Sequence, residues 1–333
     1  MIAVIPVIHM THIIHYSLFI IHYDGDTHVL FYRKSLLRKY ELSPPETWND
    51  YLHVIQTITL QEQENGIYGT AIMAFPTPVI IISSFMNRLG SYGGSLLDEN
   101  GRPGLSSPES VAALSAMVEH ARYALPTPLE TDFEVSRYAF LSGKVAMVEQ
   151  WTDIGIMAEN PTQSLIRGDW DAVQIPRGSG DKACHAPALN AGYCLGISRK
   201  APNPDMARAY LLFSTRPDIT LRLNLINGGI DPTRISVLTS KAYGKVAQRF
   251  SGAAQTALNS AAALPNLPQT PKLLDELVRQ LVMALEHRKT PRQSLEDAQA
   301  RWLEILGLEA KAEKEDHKAF ADSSFKSSLL SQE

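Results

Sequence analysis

The sequence predicts an α/β fold, because short apolar strands alternate with amphipathic helices along the chain. Residues 145–148 (VAMV) and 191–198 (AGYCLGIS) are apolar runs typical of buried strands. Residues 106–123 and 290–306 instead carry apolar side chains at helical spacing. A chain of 333 residues, 44% hydrophobic and 20% charged, can bury the core of one large domain or of two smaller ones.

Each element is predicted from a local signal. Strands are expected over 29–32, 145–148, within 168–178 and over 191–198, and helices over 34–40, from 48 onward, over 79–90, 108–123, 132–140, 204–215, 217–227 and 251–306. Thr47, Ser107 and Asn203 are suitable N-caps for the helices that follow them. Gly143 can supply the left-handed backbone that ends the helix before the 145–148 strand. Residues 24–26 (DGD) and 98–101 are expected to form turns.

The amino-terminal 21 residues are apolar but lack Lys and Arg, and Pro6 interrupts them. They match neither a secretory signal peptide nor a membrane helix. His9, His12 and His15 recur at a spacing of three, which drifts around a helix, and their β-branched neighbours favour a strand. We therefore predict no metal site there and no cofactor elsewhere.

Charge and cysteine content argue against two classes of function, nucleic-acid binding and a C-x-x-C metal site. The chain has 35 acidic and 31 basic side chains, a formal net charge of −4, and no broad basic patch. Nucleic-acid binding has little electrostatic support on this basis. Cys184 and Cys194 are compatible either with one disulfide or with two thiols, and C-x-x-C metal spacing is absent.

Five segments in a fixed order resemble a known family. They cover residues 29–52, 140–153, 175–215, 228–236 and 290–306, the second reading FLSGKVAMVEQWTD. In this order they are similar to the extracellular solute-binding proteins of sugar-uptake ABC transporters, over roughly residues 22–308. The resemblance implies two α/β lobes of the type II periplasmic binding fold with a hinge, no enzymatic activity, and a sugar or polyol bound in the cleft.

The resemblance also implies ligand-binding positions in the first half of the chain. Asp26 matches a carboxylate that accepts hydrogen bonds from sugar hydroxyls, although an Asp-Gly-Asp turn is the plain alternative. Tyr92, Gly93 and Gly94 match a glycine-marked segment near the cleft, where the backbone can approach a ligand. A plain hairpin turn is the alternative for these three residues.

Further positions follow in the second half. Trp151 matches the aromatic residue on which a sugar ring stacks, and we expect its indole to lie open toward the cleft. Gly192 and Tyr193 fall where relatives have Gly-Gly-Trp, with an inward-packing strand aromatic as the alternative for Tyr193. Asp231 and Arg234 occupy a loop near the cleft, where Arg234 could bind the ligand or pair with Asp231.

The family pattern also suggests a domain division. Residues 1–75 are expected to be a remnant of the first lobe, 76–230 mainly the second lobe, 231–308 a helical return to the first lobe and hinge, and 309–333 a polar, disordered tail. The predicted strand at residue 29 comes early for this family, which suggests an amino-terminal truncation. A periplasmic location follows from the resemblance, not from a recognisable signal peptide.

Three functions are compared. The leading hypothesis is the carbohydrate-binding component of an ABC importer, a monomer that partners a membrane permease and binds no nucleic acid. The second is a truncated, non-functional fragment of such a protein. The third is a glycan-processing enzyme that uses Asp24 and Asp26, but two carboxylates two residues apart on a strand are too close for an inverting pair and too exposed for a tuned acidity.

Overall fold

The computed structural model describes residues 2–6, 20–185, 191–226, 230–261 and 264–308. The strands in this part are β1 (Ile2–Pro6), β2 (Ile20–Asp26), β3 (His28–Arg33), β4 (Tyr68–Ala71), β5 (Val145–Trp151), β6 (Trp170–Val173) and β7 (Ala191–Ile197). The helices are α1 (Lys34–Lys39), α2 (Trp48–Glu62), α3 (Pro78–Ser91), α4 (Pro108–Ala121), α5 (Phe133–Leu141), α6 (Ile154–Met157), α7 (Pro204–Ser214), α8 (Pro217–Ile226), α9 (Ile235–Leu238), α10 (Lys241–Ala247), α11 (Ser251–Ser260), α12 (Thr270–Leu285) and α13 (Pro291–Leu306). The predicted mixed α/β fold is confirmed.

The strands form two separate sheets. The three-stranded sheet has the antiparallel order β1-β7-β2. The four-stranded sheet has the order β4-β5-β3-β6, in which β4 runs parallel to β5 and the other pairs are antiparallel. Thr27 is the single residue between β2 and β3, so the chain passes from one sheet to the other there. We call residues 24–28 the crossover.

Two hydrophobic clusters fill the interior. The first lies on the four-stranded sheet and joins buried residues of β3, α2, α5 and β5 to α10 and α11. The second joins α3 and α4 to α12 and α13, with Trp302 fully buried. This packing places residues 273–302 beside residues 72–124, whereas the sequence analysis assigned these ranges to different lobes. The domain limits at residues 75, 230 and 308 stay a prediction.

Local signals account for several helix ends. Thr47 forms a capping box with Asp50, and the Ser107 and Asn203 side chains accept backbone N–H bonds as predicted. Each such cap satisfies an otherwise unpaired N–H group and stabilises a helix by about 1 kcal/mol. Gly143 has a φ of 77° after the end of α5, in the left-handed region that few other residues adopt.

Some expectations differ from the structure. Asp24 and Asp26 do not form a turn: they belong to β2, which pairs with β7 through a bulge between His22 and Asp24. The predicted helical stretch 251–306 is divided among α11, α12 and α13. His9, His12, His15, Gly228, Gly229 and the tail 309–333 lie outside the described residues.

The two cysteines lie in different surroundings. Cys184 is exposed and Cys194 is buried, and no disulfide joins them. The Sγ atom of Cys194 lies 3.4 Å from His22 Nδ1.

Across the described ranges, every helix is too short or too polar to cross a bilayer.

Gly69 permits the close approach of α2 to β4. A Cβ atom at this position would lie 2.4 Å from both the Cα and the carbonyl oxygen of Ile55. We expect Gly69→Ala to lower the free energy of unfolding by about 2 kcal/mol or more, because backbone atoms must move apart. Gly244→Ala in α10, where nothing lies within 4 Å, should instead stabilise by about 0.5–1 kcal/mol. Urea unfolding of both variants measures the two changes in the free energy of unfolding. Equal changes would contradict the expected backbone clash at Gly69.

Candidate functional site

Buried carboxyl groups from three segments meet at the crossover. Asp24 and Asp26 come from β2, Asp153 lies two residues after the end of β5, and Asp231 precedes α9. All four side chains are buried. They meet because β3 pairs with β5, so that the start of β3 lies beside the end of β5. We call Asp24, Asp26, Thr152, Asp153 and Asp231 the crossover cluster.

Asp26 ties the two sheets together. Its Oδ1 accepts hydrogen bonds from the backbone N–H groups of Thr27, at 2.8 Å, and of Thr152, at 3.0 Å. Thr152 Oγ1 lies 2.9 Å from the same oxygen, and the Thr152 N–H also donates to the Thr27 carbonyl at 3.1 Å. The carboxyl group that was expected to bind a ligand therefore holds the crossover against the end of β5.

Asp231 contacts the crossover cluster from the other side. Its backbone N–H donates to Asp24 Oδ1 at 2.7 Å, and its Oδ1 accepts from the Tyr243 hydroxyl at 3.0 Å. Its Oδ2 lies 2.6 Å from Thr152 Oγ1. One threonine hydroxyl thus stands between two aspartate carboxyl groups.

Burial dominates the electrostatics of the cluster. Loss of hydration raises the pKa of Asp24 to about 7, and the nearby Asp231 carboxyl adds to the shift. Burial also raises the pKa of Asp26 and of Asp153, with further contributions from neighbouring carboxylates. The pKa of Asp231 is raised by burial as well, although side-chain hydrogen bonds with Thr152, Asp26 and Tyr243 oppose the shift. Part of the cluster is therefore protonated near neutral pH.

Trp151 is the last residue of β5, but its ring is buried rather than open. The side chain is 6% exposed. His28, its partner across the β3–β5 ladder, meets the indole edge-on at 4.4 Å between ring centroids, and Phe133 packs at 5.7 Å. The expectation of an open indole is wrong for this conformation, because these two rings cover it.

A buried polar network supports the Trp151 side of the site. Asn87 Nδ2 lies 2.8 Å from His28 Nδ1 and 3.2 Å from Glu149 Oε2. Because the amide nitrogen can only donate, the His28 ring accepts at Nδ1 and carries its hydrogen on Nε2. Burial lowers the pKa of His28 to about 3, so the ring is neutral. Arg88 binds Glu149 through two bonds, of 2.7 and 3.0 Å.

Tyr193 is the exposed aromatic residue beside the crossover cluster. It pairs with Asp24 across the β2–β7 ladder and is 45% exposed. Burial of its hydroxyl, together with the charges of Asp24, Asp26 and Asp153, raises its pKa. Gly192, just before it, has a structural role: a Cβ there would lie 2.3 Å from the Asp24 carbonyl oxygen.

The remaining predicted residues face other contacts. Tyr92 follows α3 and Gly93 has a φ of 80°, so the segment ends a helix and is not a hairpin turn. Added Cβ atoms at Gly93 and Gly94 would meet Lys182 and Leu89 respectively. The Arg234 Nε donates to the Thr215 carbonyl at 2.6 Å. Within the described residues, no ion pair joins Arg234 to Asp231.

Within the described residues the cluster forms no metal centre, and the best-defined cavity lies elsewhere. Over the described ranges, no three His, Cys, Asp or Glu side chains are arranged to hold a metal ion. A cavity of about 440 Å³ lies elsewhere, between the α6 region, the end of α8 and α10; its lining includes Met157, Glu159, Ile226, Lys245 and Arg249. None of the predicted site residues lines that cavity.

Sequence comparison decides the family. Residues 19–220 match the family model described as bacterial extracellular solute-binding protein. The chain belongs to this family. The family is one of solute-binding proteins and not of enzymes. A probable amino-acid ABC transporter periplasmic-binding protein of Sinorhizobium fredii is 24% identical over 284 residues, which is 83% of this chain and 62% of that protein.

Solved structures of solute-binding proteins share the fold. Maltose-bound MalE3 of T. maritima superposes with a TM-score of 0.83 at 22% identity, over 92% of this chain and 84% of that one. A solute-binding protein of Agrobacterium vitis S4 with bound D-mannitol superposes with a TM-score of 0.77 at 21% identity, over 87% and 74%. The chain spans about 60% of the length of the curated relatives that it matches.

Sequence reasoning missed two residues of the crossover cluster and one tyrosine that contacts it. Thr152, Asp153 and Tyr243 were not singled out as site residues, although Thr152 and Asp153 directly follow Trp151. Their position at the end of a buried strand was the available signal, since such ends point to one edge of a sheet. Tyr243 lies in α10, and no local pattern connects it to Asp231.

Proposed function

We propose that this solute-binding protein is the substrate-binding component of an ABC-type importer for a sugar or polyol, with the ligand bound where the two sheets meet. The observation that carries the proposal is the family match over residues 19–220. Two proteins of the same fold are named for bound maltose and bound D-mannitol, which supports this ligand class.

The contacts at the crossover suit hydroxyl-rich ligands. Carboxylate oxygens accept hydrogen bonds from hydroxyl groups, and charge makes these bonds strong. Tyr193 offers an exposed ring whose face can cover the C–H groups of a sugar. In this proposal Tyr193 provides the first stacking surface, and Trp151 takes part when His28 and Phe133 move aside. Asp26, Gly192, Asp231 and Arg234 shape the polar surroundings, and Tyr92–Gly94 border the site more remotely.

The wider role follows from the family. We propose that the protein acts outside the cytoplasmic membrane as a monomer and delivers its ligand to a membrane permease. The three-stranded sheet with α7–α9 would form one lobe, and the four-stranded sheet with α1–α6 the other, joined at the crossover. Closure of the lobes on a ligand would be a hinge motion about residues 24–28.

Titration of the folded chain with a panel of maltose, ribitol, D-mannitol, D-tagatose and several amino acids tests this proposal. We expect one of the sugars or polyols to change tryptophan fluorescence and to raise the melting temperature. Tyr193→Ala should weaken that binding about 10-fold or more through lost stacking area. Tyr138→Ala, at an exposed tyrosine on α5, is the matched control.

Two outcomes would contradict the proposal. Binding confined to amino acids would support the alternative suggested by the name of the Sinorhizobium fredii relative. A folded chain that binds no member of the panel would favour the non-functional alternative.

A further inference from the structure

Thr152 lies between two acidic side chains, and its hydroxyl group cannot donate a hydrogen bond to both. Its Oγ1 lies 2.9 Å from Asp26 Oδ1 and 2.6 Å from Asp231 Oδ2. A threonine hydroxyl has one hydrogen, so it donates to only one of them. The other carboxyl group must carry a hydrogen of its own. Otherwise its oxygen and Thr152 Oγ1 would lie at hydrogen-bond distance with no hydrogen between them.

Donors lie against both carboxyl groups. Asp26 Oδ1 accepts two backbone N–H bonds, and Asp231 Oδ1 accepts a bond from the Tyr243 hydroxyl. The proton is therefore assigned to the pair and not to one member of it. The protonated carboxyl group donates to Thr152 Oγ1, and the Thr152 hydroxyl donates to the other carboxylate.

We infer that Asp231 and Asp26 hold one proton between them at neutral pH, and that this proton ties Thr152 at the end of β5 to the segment before α9. The tie joins the two sheets at the crossover, and its loss in alkaline solution loosens that junction. The inference concerns the folded chain itself and does not depend on which solute the protein binds.

The groups around the pair support a retained proton. Asp24 on β2 and Asp153 after β5 are buried carboxyl groups, and Tyr193 on β7 and Tyr243 on α10 also face the cluster. Arg137 on α5 acts on Asp153, and the Arg234 Nε is directed to the Thr215 carbonyl. Burial raises the pKa of Asp26 and of Asp231 above that of an exposed aspartate.

The direction of the pH effect follows from these shifts. An unfolded chain releases its aspartate protons near pH 4, whereas the folded chain keeps this one. The stabilising contribution is therefore complete below about pH 4 and is lost as the pH rises through the folded-state pKa. We expect the urea concentration at the unfolding midpoint of the wild-type protein to decrease as the pH is raised from 5 to 8. Asp24, whose pKa is about 7, contributes part of this decrease.

Carbon-13 NMR of the aspartate side chains measures the proton directly. In wild-type protein at pH 7, the Cγ signal of Asp26 or of Asp231 should have the shift of a protonated carboxyl group and should titrate at or above neutral pH. This measurement needs no variant. Titration of both Asp26 and Asp231 below pH 5 would overturn the inference.

Asp231→Asn provides the second test. The amide can donate from Nδ2 to Thr152 Oγ1 without a titrating proton, so the variant should have a shallower loss of urea midpoint with pH and should lack one neutral-range Cγ titration. Asp181→Asn, at an exposed position, should keep the wild-type profile. A folded Asp231→Asn protein with the wild-type number of neutral-range titrations would overturn the assignment of the proton to this pair.

Discussion

Glu149→Ala is expected to lower the free energy of unfolding by about 3–5 kcal/mol, because it leaves a buried guanidinium group without its counter-ion. Arg88 is fully buried, and Glu149 accepts its two bonds of 2.7 and 3.0 Å. The Arg88 Nη1 also donates to the Ser84 carbonyl, but that contact supplies no charge. Chemical denaturation of the purified variant measures the effect.

Two further variants distinguish a buried charge from a general loss of packing. Glu119→Ala removes an exposed partner of Arg122 in α4 and should change stability by no more than about 1 kcal/mol. The double variant Arg88→Met with Glu149→Leu removes both charges and should recover most of the stability that Glu149→Ala loses. A loss below 1 kcal/mol for Glu149→Ala would show that the pair does not act as a buried ion pair.

Asp26→Asn is expected to weaken binding of the sugar or polyol about 10-fold to 100-fold, which corresponds to about 1.4–2.7 kcal/mol. The amide oxygen can still accept the backbone N–H bonds of Thr27 and Thr152, so the crossover should stay folded. The negative charge that strengthens hydroxyl hydrogen bonds is lost. Isothermal titration calorimetry with the strongest ligand of the panel measures the change.

Asp218→Asn is the matched control for Asp26→Asn. Asp218 is exposed and pairs with Arg216 near the start of α8. Its substitution should leave the dissociation constant unchanged within twofold. Wild-type affinity in a folded Asp26→Asn protein would remove Asp26 from the binding site.

Much of the fold could be predicted because its signals are local. The Thr47 capping box, the positive φ of Gly143 and the apolar run of β5 each depend on a few neighbouring residues. The order of the five segments identified the family, and the family fixed the fold. The turn expected at Asp24–Asp26 failed because pairing of β2 with β7, over 160 residues later, overrides the local preference for a turn.

The site was less predictable because long-range contacts determine it. Nothing near Trp151 in the sequence indicates that His28 covers its ring, since the two residues meet only through the β3–β5 pairing. Likewise, Asp231 reaches Thr152 through packing of distant segments. Gly192 was predicted as a ligand-binding position from its place in the family pattern, but the backbone of Asp24 fills the space that a side chain there would occupy.

A map of amide chemical-shift changes on addition of the strongest ligand of the panel tests most directly where this protein binds its solute. We predict that the largest changes centre on residues 24–28, 151–153, 192–193 and 231–234. Changes confined to the cavity lined by Met157, Glu159, Lys245 and Arg249, with the crossover signals unmoved, would contradict a binding site between the two sheets.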